Sequence, residues 1–463
     1  MRLGRNLRRI SVVALACALA GCSTLQRINP FSRDADGPDQ ANVPAASARV
    51  PVLAFDDVLK VSDALKGVDF YLPAAKPQAD WPLPGGTPEQ SIEHVEAAPS
   101  FAVAWKRGFG KGSDRRRHVT APPVSAGGNI FVMDGAAEVS AISAASGGVV
   151  WRTDLNPRNR RDRIAFGGGL AVDGGRVYVT SGYRFVAALD AATGALLWRT
   201  DTRAPIHAAP TVAGGRLFAV TIDNELESFD AATGRAGWRY QALVEPARIL
   251  AASSPAVSGD TVVAAFASGE VIALRAANGT ELWNASLTRA SRTTALSEIR
   301  DIAGRPIIYR GDVLAGSHSG AFAAIDIRTG ATRWPEPLNI TMMSSPWAAG
   351  DVVYVTSKAG EVACISRDNG QVYWIRNLNE GRRQTRRNRF GFEKIDRALW
   401  TGPMLASGRL IVASSDGMAV ALDPKSGGVL STIRVGSPVL IAPIAVNGRI
   451  YLVTDDAKLV AIG

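Results

Sequence analysis

Over most of its length the chain alternates between short hydrophobic runs and breaks of turn-forming residues. Runs such as Arg216-Leu217-Phe218-Ala219-Val220 and Glu270-Val271-Ile272-Ala273-Leu274 are rich in β-branched and aromatic side chains and too short for helices. The breaks, among them Gly214-Gly215, Ser268-Gly269 and Ala359-Gly360, are tight-turn dipeptides. Strand, turn and strand in close succession predict antiparallel meanders.

A longer pattern organises these runs. A hydrophobic strand leads into a polar residue, two small residues, Thr/Ser/Asn-Gly, three further residues and then Trp. It reads Leu189-Asp190-Ala191-Ala192-Thr193-Gly194-Ala195-Leu196-Leu197-Trp198 in one copy. The Gly-to-Trp step recurs at Gly147/Trp151, Gly194/Trp198, Gly234/Trp238, Gly279/Trp283, Gly330/Trp334 and Gly370/Trp374. A seventh copy has Gly427 but carries Ser431 in place of Trp. Copies recur about every 40 to 50 residues, the length of one four-stranded blade. The last unit, from Ile441 to Gly463, has three strands and stops. The first repeat-like piece, Phe101 to Lys106, is a Trp-bearing strand with no blade before it. Together they predict an all-β, eight-bladed β-propeller over residues 100–463. Seven blades lie within 120–438. The eighth is shared by the two ends, with Trp105 as its Trp, so the ring closes without a free edge. The repeated Gly is expected to adopt a positive φ. The Trp is expected to pack between adjacent blades with its N–H on a backbone carbonyl.

The first hundred residues follow another logic. Residues 1–21 join four arginines to an apolar run too short to span a bilayer, and read as an export leader. The run ends Leu19-Ala20-Gly21-Cys22, which resembles the bacterial lipoprotein processing motif. That likeness implies lipidation of Cys22, and Ser23 after it resembles sorting to the outer membrane. Residues 22–99 are expected to form a lipidated tether, mostly disordered or wrapped on the propeller, with a short helix near 55–65 and Trp81 in a groove of the propeller wall.

Composition narrows the function. The net charge is +10, but Arg2, Arg5, Arg8 and Arg9 lie in the leader, so the rest is only mildly basic, and no nucleic-acid motif appears. The Asp residues Asp190, Asp230, Asp326 and Asp423 occupy the repeat turn, which is turn chemistry. His94, His118, His207 and His318 are scattered without metal-ligand spacing. No nucleophile elbow or phosphate loop is present, so no catalytic or metal residue and no cofactor is expected. One basic run stands out, Arg382 to Arg397, between two repeats; it would meet solvent or an anionic surface.

The repeat itself resembles that of the pyrroloquinoline-quinone-type propeller family. With the lipoprotein motif and the short chain, it is most similar to the BamB lipoproteins of the outer-membrane β-barrel assembly (BAM) machinery. The resemblance implies a non-enzymatic scaffold, lipid-anchored at the periplasmic face of the outer membrane. It would bind the POTRA domains of the barrel-inserting subunit BamA and other BAM subunits, and possible clients are nascent β-barrel proteins. In that family two loops carry the contact. The first matches Arg248-Ile249-Leu250-Ala251 here, with the family's Arg displaced. The second matches Arg300-Asp301-Ile302-Ala303, with Ala303 at the family's second Asp. The resemblance thus implies partner contacts at Arg248, Ile249, Leu250, Arg300 and Asp301. A quinone-dependent oxidoreductase, or a degenerate relative of one, and a general envelope-binding module remain as alternatives.

Overall fold

The structure is a computed structural model described over residues 59–157, 167–245, 253–288, 301–381, 385–387, 393–395 and 397–463. The leader, Cys22 and the start of the expected helix lie outside the described residues. Of that helix only a short 3-10 turn, Asp63–Leu65, is seen. No helix among the described residues is long and apolar enough to cross a membrane.

Eight four-stranded antiparallel sheets follow one another, each a simple meander. Blade one runs from Val124–Ala126 to Val149–Asp154, and blade seven from Trp400–Ala406 to Val429–Arg434. Blade eight takes three strands from the end of the chain. Its outermost strand is Val103–Gly108, which pairs with Lys458–Ile462. Trp105 stands opposite Ala461, and Arg107 opposite Leu459. The expected closure is therefore present, and blade eight has no unpaired edge toward its own inner strands.

The repeated Gly and Trp make one joint between neighbours. Gly194 has φ +74. A Cβ built there would sit 2.6 Å from Cδ2 of Trp151, which belongs to the preceding blade. The indole N–H of Trp151 donates to the Ala191 carbonyl in the same turn, at 3.0 Å. Trp198, Trp238, Trp283, Trp334 and Trp374 each donate to the following blade's turn in the same way, at 2.6–3.2 Å. Glycine is needed twice here, for the left-handed backbone and for the room the ring occupies. The turn is fixed from within by its Asp. The Asp190 carboxylate accepts the Thr193 hydroxyl and the N–H groups of Thr193 and Ala192. Those bonds, the Thr193 hydroxyl first, hold its carboxyl below the ordinary carboxylate range.

Two departures from the repeat have physical reasons. Ser431 replaces Trp in blade seven because blade eight has no such turn to receive one: its third and fourth strands come from opposite ends of the chain. Blade five has a fourth strand of only Leu338–Asn339, although Trp334 keeps its bond to the Arg367 carbonyl. Pro335 and Pro337 follow Trp334 directly and cannot donate to a ladder.

The segment ahead of blade one is a strap rather than a tether along the wall. Residues 76–98 make a complete circuit of the propeller axis, bonded to the innermost strand or its following turn in blade after blade. Trp81 exchanges both backbone bonds with Ser125 of blade one, and the Pro82 carbonyl accepts from Val172 of blade two. The Pro88 and Glu89 carbonyls accept from Val257 and Ile308 of blades four and five. The Glu93 carbonyl accepts from the Trp347 indole of blade six at 2.8 Å. Val95 N–H donates to Leu405 of blade seven, and Ala98 N–H to Gly448 of blade eight. Gln90 reaches blades three and four: its side-chain amide donates to Thr211 Oγ1 and the Pro255 carbonyl, at 3.0 and 3.2 Å. Trp81, only 1% exposed, stacks on Trp347 at 6.3 Å. Its burial was expected; its position, across the axis and not in the outer wall, was not.

His318, in the turn between the second and third strands of blade five, ties down the linker that enters the blade. Its N–H donates to the Asp301 carbonyl at 2.8 Å, and Lys358 Nζ lies 3.2 Å from its Nε2. An ammonium only donates, so Nε2 accepts and the ring is neutral. Burial first, and Lys358 second, lower its pKa below the ordinary 6.5.

Two predictions follow from these joints. Gly194→Ala should lower unfolding free energy by about 2 kcal/mol or more, while Gly174→Ala, at φ +53 with nothing within 4 Å, should cost about 1 kcal/mol. Urea melts of both variants test this, and equal losses would remove the joint. Stability should also fall as pH drops below 6.5, because the unfolded chain then takes up a proton that folded His318 refuses. The slope should be shallower in His318→Gln by the same measurement.

Candidate functional site

A meander places its first and third turns on one face of the ring, and its second turn with the linkers between blades on the other. The strap covers the axis on the first face. The functional candidates gather on the linker face.

There the axis opens into a cavity of ≈ 280 Å³. All eight blades contribute, through residues such as Pro122, Gly168, His207, Ser254, Arg305, Trp347, Thr401 and Ile441. Trp81, Pro84, Gly85 and Gln90 of the strap form its floor. The cavity is therefore blind, open only toward the linkers. Arg305 is the one lining residue that carries a full charge at neutral pH. Its guanidinium makes no hydrogen bond or ion pair with any described residue, and its Nε is buried without a partner. Only its backbone N–H is held, by Ser345 Oγ at 2.9 Å. Desolvation alone pulls its pKa down to about 10, which still leaves it charged. Nothing in Gly304-Arg305-Pro306 marks it out in the sequence.

The family-implied partner residues fare unequally. Arg248, Ile249, Leu250 and Arg300 lie outside the described residues. Asp301 is described and 1% exposed, so its carboxylate is withdrawn from the surface. A different apolar pair stands at the root of the first loop. Leu243 and Val244 are 68% and 75% exposed. Their backbone is held firmly: Glu270 Oε2 accepts from Leu243 N–H at 2.9 Å, and Asn224 Nδ2 donates to the Leu243 carbonyl at 2.7 Å. Sequence reasoning passed over them, although Ala242-Leu243-Val244 after a strand that ends at Gln241 is an apolar excess with no strand to belong to. The basic run contains a short hairpin, Thr385–Arg387 against Glu393–Ile395, between blades six and seven.

Other chemistry is sparse. Among the described residues no three His, Cys, Asp or Glu side chains gather in metal-binding geometry. Cys364 is buried, and desolvation raises its thiol well above the usual value. Glu227, 5% exposed with Oε2 unpartnered, is likewise raised by burial, and sits in the third strand of blade three.

Comparison with known proteins agrees with this architecture. The family model described as "Outer membrane protein assembly factor BamB" matches residues 90–162, 135–376 and 379–463. Proteins of that name from Alkalilimnicola ehrlichii and Escherichia coli are 26% and 23% identical over 211 residues, 45% of this chain and 50% and 49% of theirs. The chain thus spans about half the length of the curated relatives it matches. Among solved structures, BamB from Moraxella catarrhalis superimposes with a TM-score of 0.64 at 19% identity, covering 78% of this chain and 99% of that one. Quinohemoprotein alcohol dehydrogenase from Comamonas testosteroni gives 0.62 at 16% identity, covering 84% and 81%. Both likenesses concern the fold. The family match runs through the strap's second half and every blade, and on that ground the chain belongs to the family of the outer membrane protein assembly factor BamB.

Proposed function

We propose that this protein is a non-enzymatic scaffold of the outer-membrane β-barrel assembly machinery, held at the periplasmic face of the outer membrane by lipid on Cys22. It binds the POTRA domains of BamA through its linker face and so assists the insertion of β-barrel proteins. The family match across 90–463 carries the reading. The exposed, backbone-anchored Leu243-Val244 pair supports the choice of face, because a small, fixed apolar patch is the usual centre of a protein contact. Arg248, Ile249, Leu250 and Arg300 enter the reading through the family resemblance alone. Asp301, being buried, contributes the shape of its loop and no surface charge.

Affinity capture from detergent-solubilised envelopes, read by an antibody to BamA, tests this. The unaltered chain should recover BamA. Leu243→Asp with Val244→Asp should reduce recovery about tenfold or more, since hot-spot residues each contribute about 2 kcal/mol. Both side chains point to solvent, so the melting curve should not move. Undiminished recovery by the double variant would place the contact on another surface. Saturable binding of pyrroloquinoline quinone with Ca²⁺ and dye-linked turnover would replace the scaffold with an oxidoreductase.

A further inference from the structure

The linker between blades six and seven carries an element that belongs to no blade. Asn379 closes the base of this loop. Its side-chain amide donates to the Ala398 carbonyl at 3.0 Å and to the Ala359 carbonyl of blade six at 2.9 Å. Its Oδ1 accepts the Trp400 indole N–H at 3.1 Å. Residues 380–397 therefore leave and rejoin the ring at one point. Within them Thr385–Arg387 and Glu393–Ile395 pair as a two-stranded sheet joined to no other described strand. A hairpin of two strands is marginal in water by itself, and this one takes no part in closing the ring. Its composition indicates what would support it. Residues 381–399 hold seven basic side chains and two acidic ones, so half of the chain's net charge of +10 sits in one linker. Apolar side chains stand exposed beside the loop's root. Leu399 is 43% exposed where the loop returns, and Met343 and Leu440, 41% and 48% exposed, stand on the two neighbouring linkers.

We propose that the linker face around blades six and seven docks on an anionic lipid bilayer. The Thr385–Arg387/Glu393–Ile395 hairpin meets the headgroups, and Leu399, Met343 and Leu440 meet the apolar boundary beneath them. A bilayer accepts both kinds of group at once: basic residues are drawn to anionic headgroups, and apolar ones leave water for the acyl boundary. A purely charged partner would leave Leu399, Met343 and Leu440 wet. The route of the chain agrees with this orientation. The segment that follows Cys22 reaches the ring at Leu59, which packs against the core shared by blades five and six, in the same sector. Leu243 and Val244 stand on the linker between blades three and four, three blades away. The bilayer contact therefore leaves that pair free, and it does not rest on the scaffold role.

The test is co-sedimentation with vesicles of the chain from residue 22 onward carrying Cys22→Ala, so that neither leader nor acyl chain contributes. Vesicles of phosphatidylglycerol and phosphatidylcholine in equal parts should bind it, and vesicles of phosphatidylcholine alone should not. Binding should weaken as salt rises, because the attraction is screened over about 10 Å at 0.1 M. Arg386→Gln with Arg387→Gln should weaken it about 10- to 30-fold, since each basic residue near an anionic surface contributes roughly a fivefold factor. The melting curve of that variant should not move, because the hairpin belongs to no blade. Leu399→Ser with Met343→Ser should also weaken binding, with the salt dependence unchanged. Arg115→Gln with Arg116→Gln, two exposed arginines on the linker between blades eight and one, controls for charge alone and should lose much less. Leu243→Asp with Val244→Asp should bind vesicles as the unaltered chain does, which separates this contact from the capture of BamA. Equal losses in the two arginine pairs, equal binding to both kinds of vesicle, or no binding at low salt would each overturn the proposal. Should the hairpin variant fail to fold, the lipid and salt dependence of the otherwise unaltered chain decides the matter.

Discussion

The structure depends on the contact between an indole and a glycine of the next blade. A four-stranded blade cannot bury both of its faces alone, so its stability is borrowed from its neighbours. The tryptophan supplies a large flat surface for that contact and a donor for the neighbour's turn. The glycine supplies the absence of a side chain where the ring must lie. The Asp of the same turn fixes the backbone that presents both. These parts sit within one stretch of ten residues, yet they act across two blades: Gly194 serves Trp151, and Trp198 serves Gly234. The repeat is therefore not a blade that happens to contain Gly and Trp. It is a plug and a socket, and the ring is what results when each plug meets the next socket. At the junction between the chain's two ends the socket cannot exist, and there the Trp is replaced by Ser431. Trp105, the plug of blade eight, still packs on Gly147, but its N–H finds no acceptor. Tyr451 donates to the Ala144 carbonyl that the repeat would have offered.

Two devices close the circle, and they differ in kind. Pairing of Val103–Gly108 with Lys458–Ile462 joins the ends edge to edge. The strap joins the blades at the axis, mostly from backbone to backbone. One carbonyl or N–H serves most blades, and side chains of the inner strands take part in blades three and six, through Thr211 Oγ1 and the Trp347 indole. Its own side chains matter at five points, where Asp80, Trp81, Gln90, Glu93 and His94 each reach a blade. The Glu93 carboxylate accepts from both the Tyr309 hydroxyl and Arg310, which fixes the strap at blade five just before it bonds to blade six.

The ring was legible in the sequence because its cause is local and repeated. Blade count, the shared eighth blade and the role of each Gly and Trp could be read from spacing alone. The strap was not legible, because its partners are eight inner strands that become neighbours only after the ring has formed. Asp-Trp-Pro-Leu-Pro-Gly-Gly at 80–86 marks a turn with an aromatic residue, and nothing in it names the axis as its place. Asp301 is a case of the opposite kind. A motif comparison gave it a surface role, while the bond between its carbonyl and His318 draws the start of its linker inward. Arg305 shows the limit of reading residues singly: an arginine between Gly and Pro is unremarkable until eight blades surround it and none of their described residues pairs with it.

These features divide the molecule into a committed face and a free one. On the strap face, the first turns of blades one, five, six, seven and eight are bonded to the segment ahead of blade one, and the third turns of blades two to seven accept a neighbour's tryptophan N–H. A change there is felt in two blades or at the axis. The linker face carries no such repeat. Its segments differ in length and composition from one pair of blades to the next, from the short 435–443 to the basic stretch around 385–395. Variation is tolerated where backbone is not shared, so recognition would be expected to concentrate there. The mouth of the axial cavity, the Leu243-Val244 pair and Asp301 all lie on this face. That distribution follows from the joint itself: a ring built from turn-to-turn contacts on one side leaves only the other side free to acquire partners.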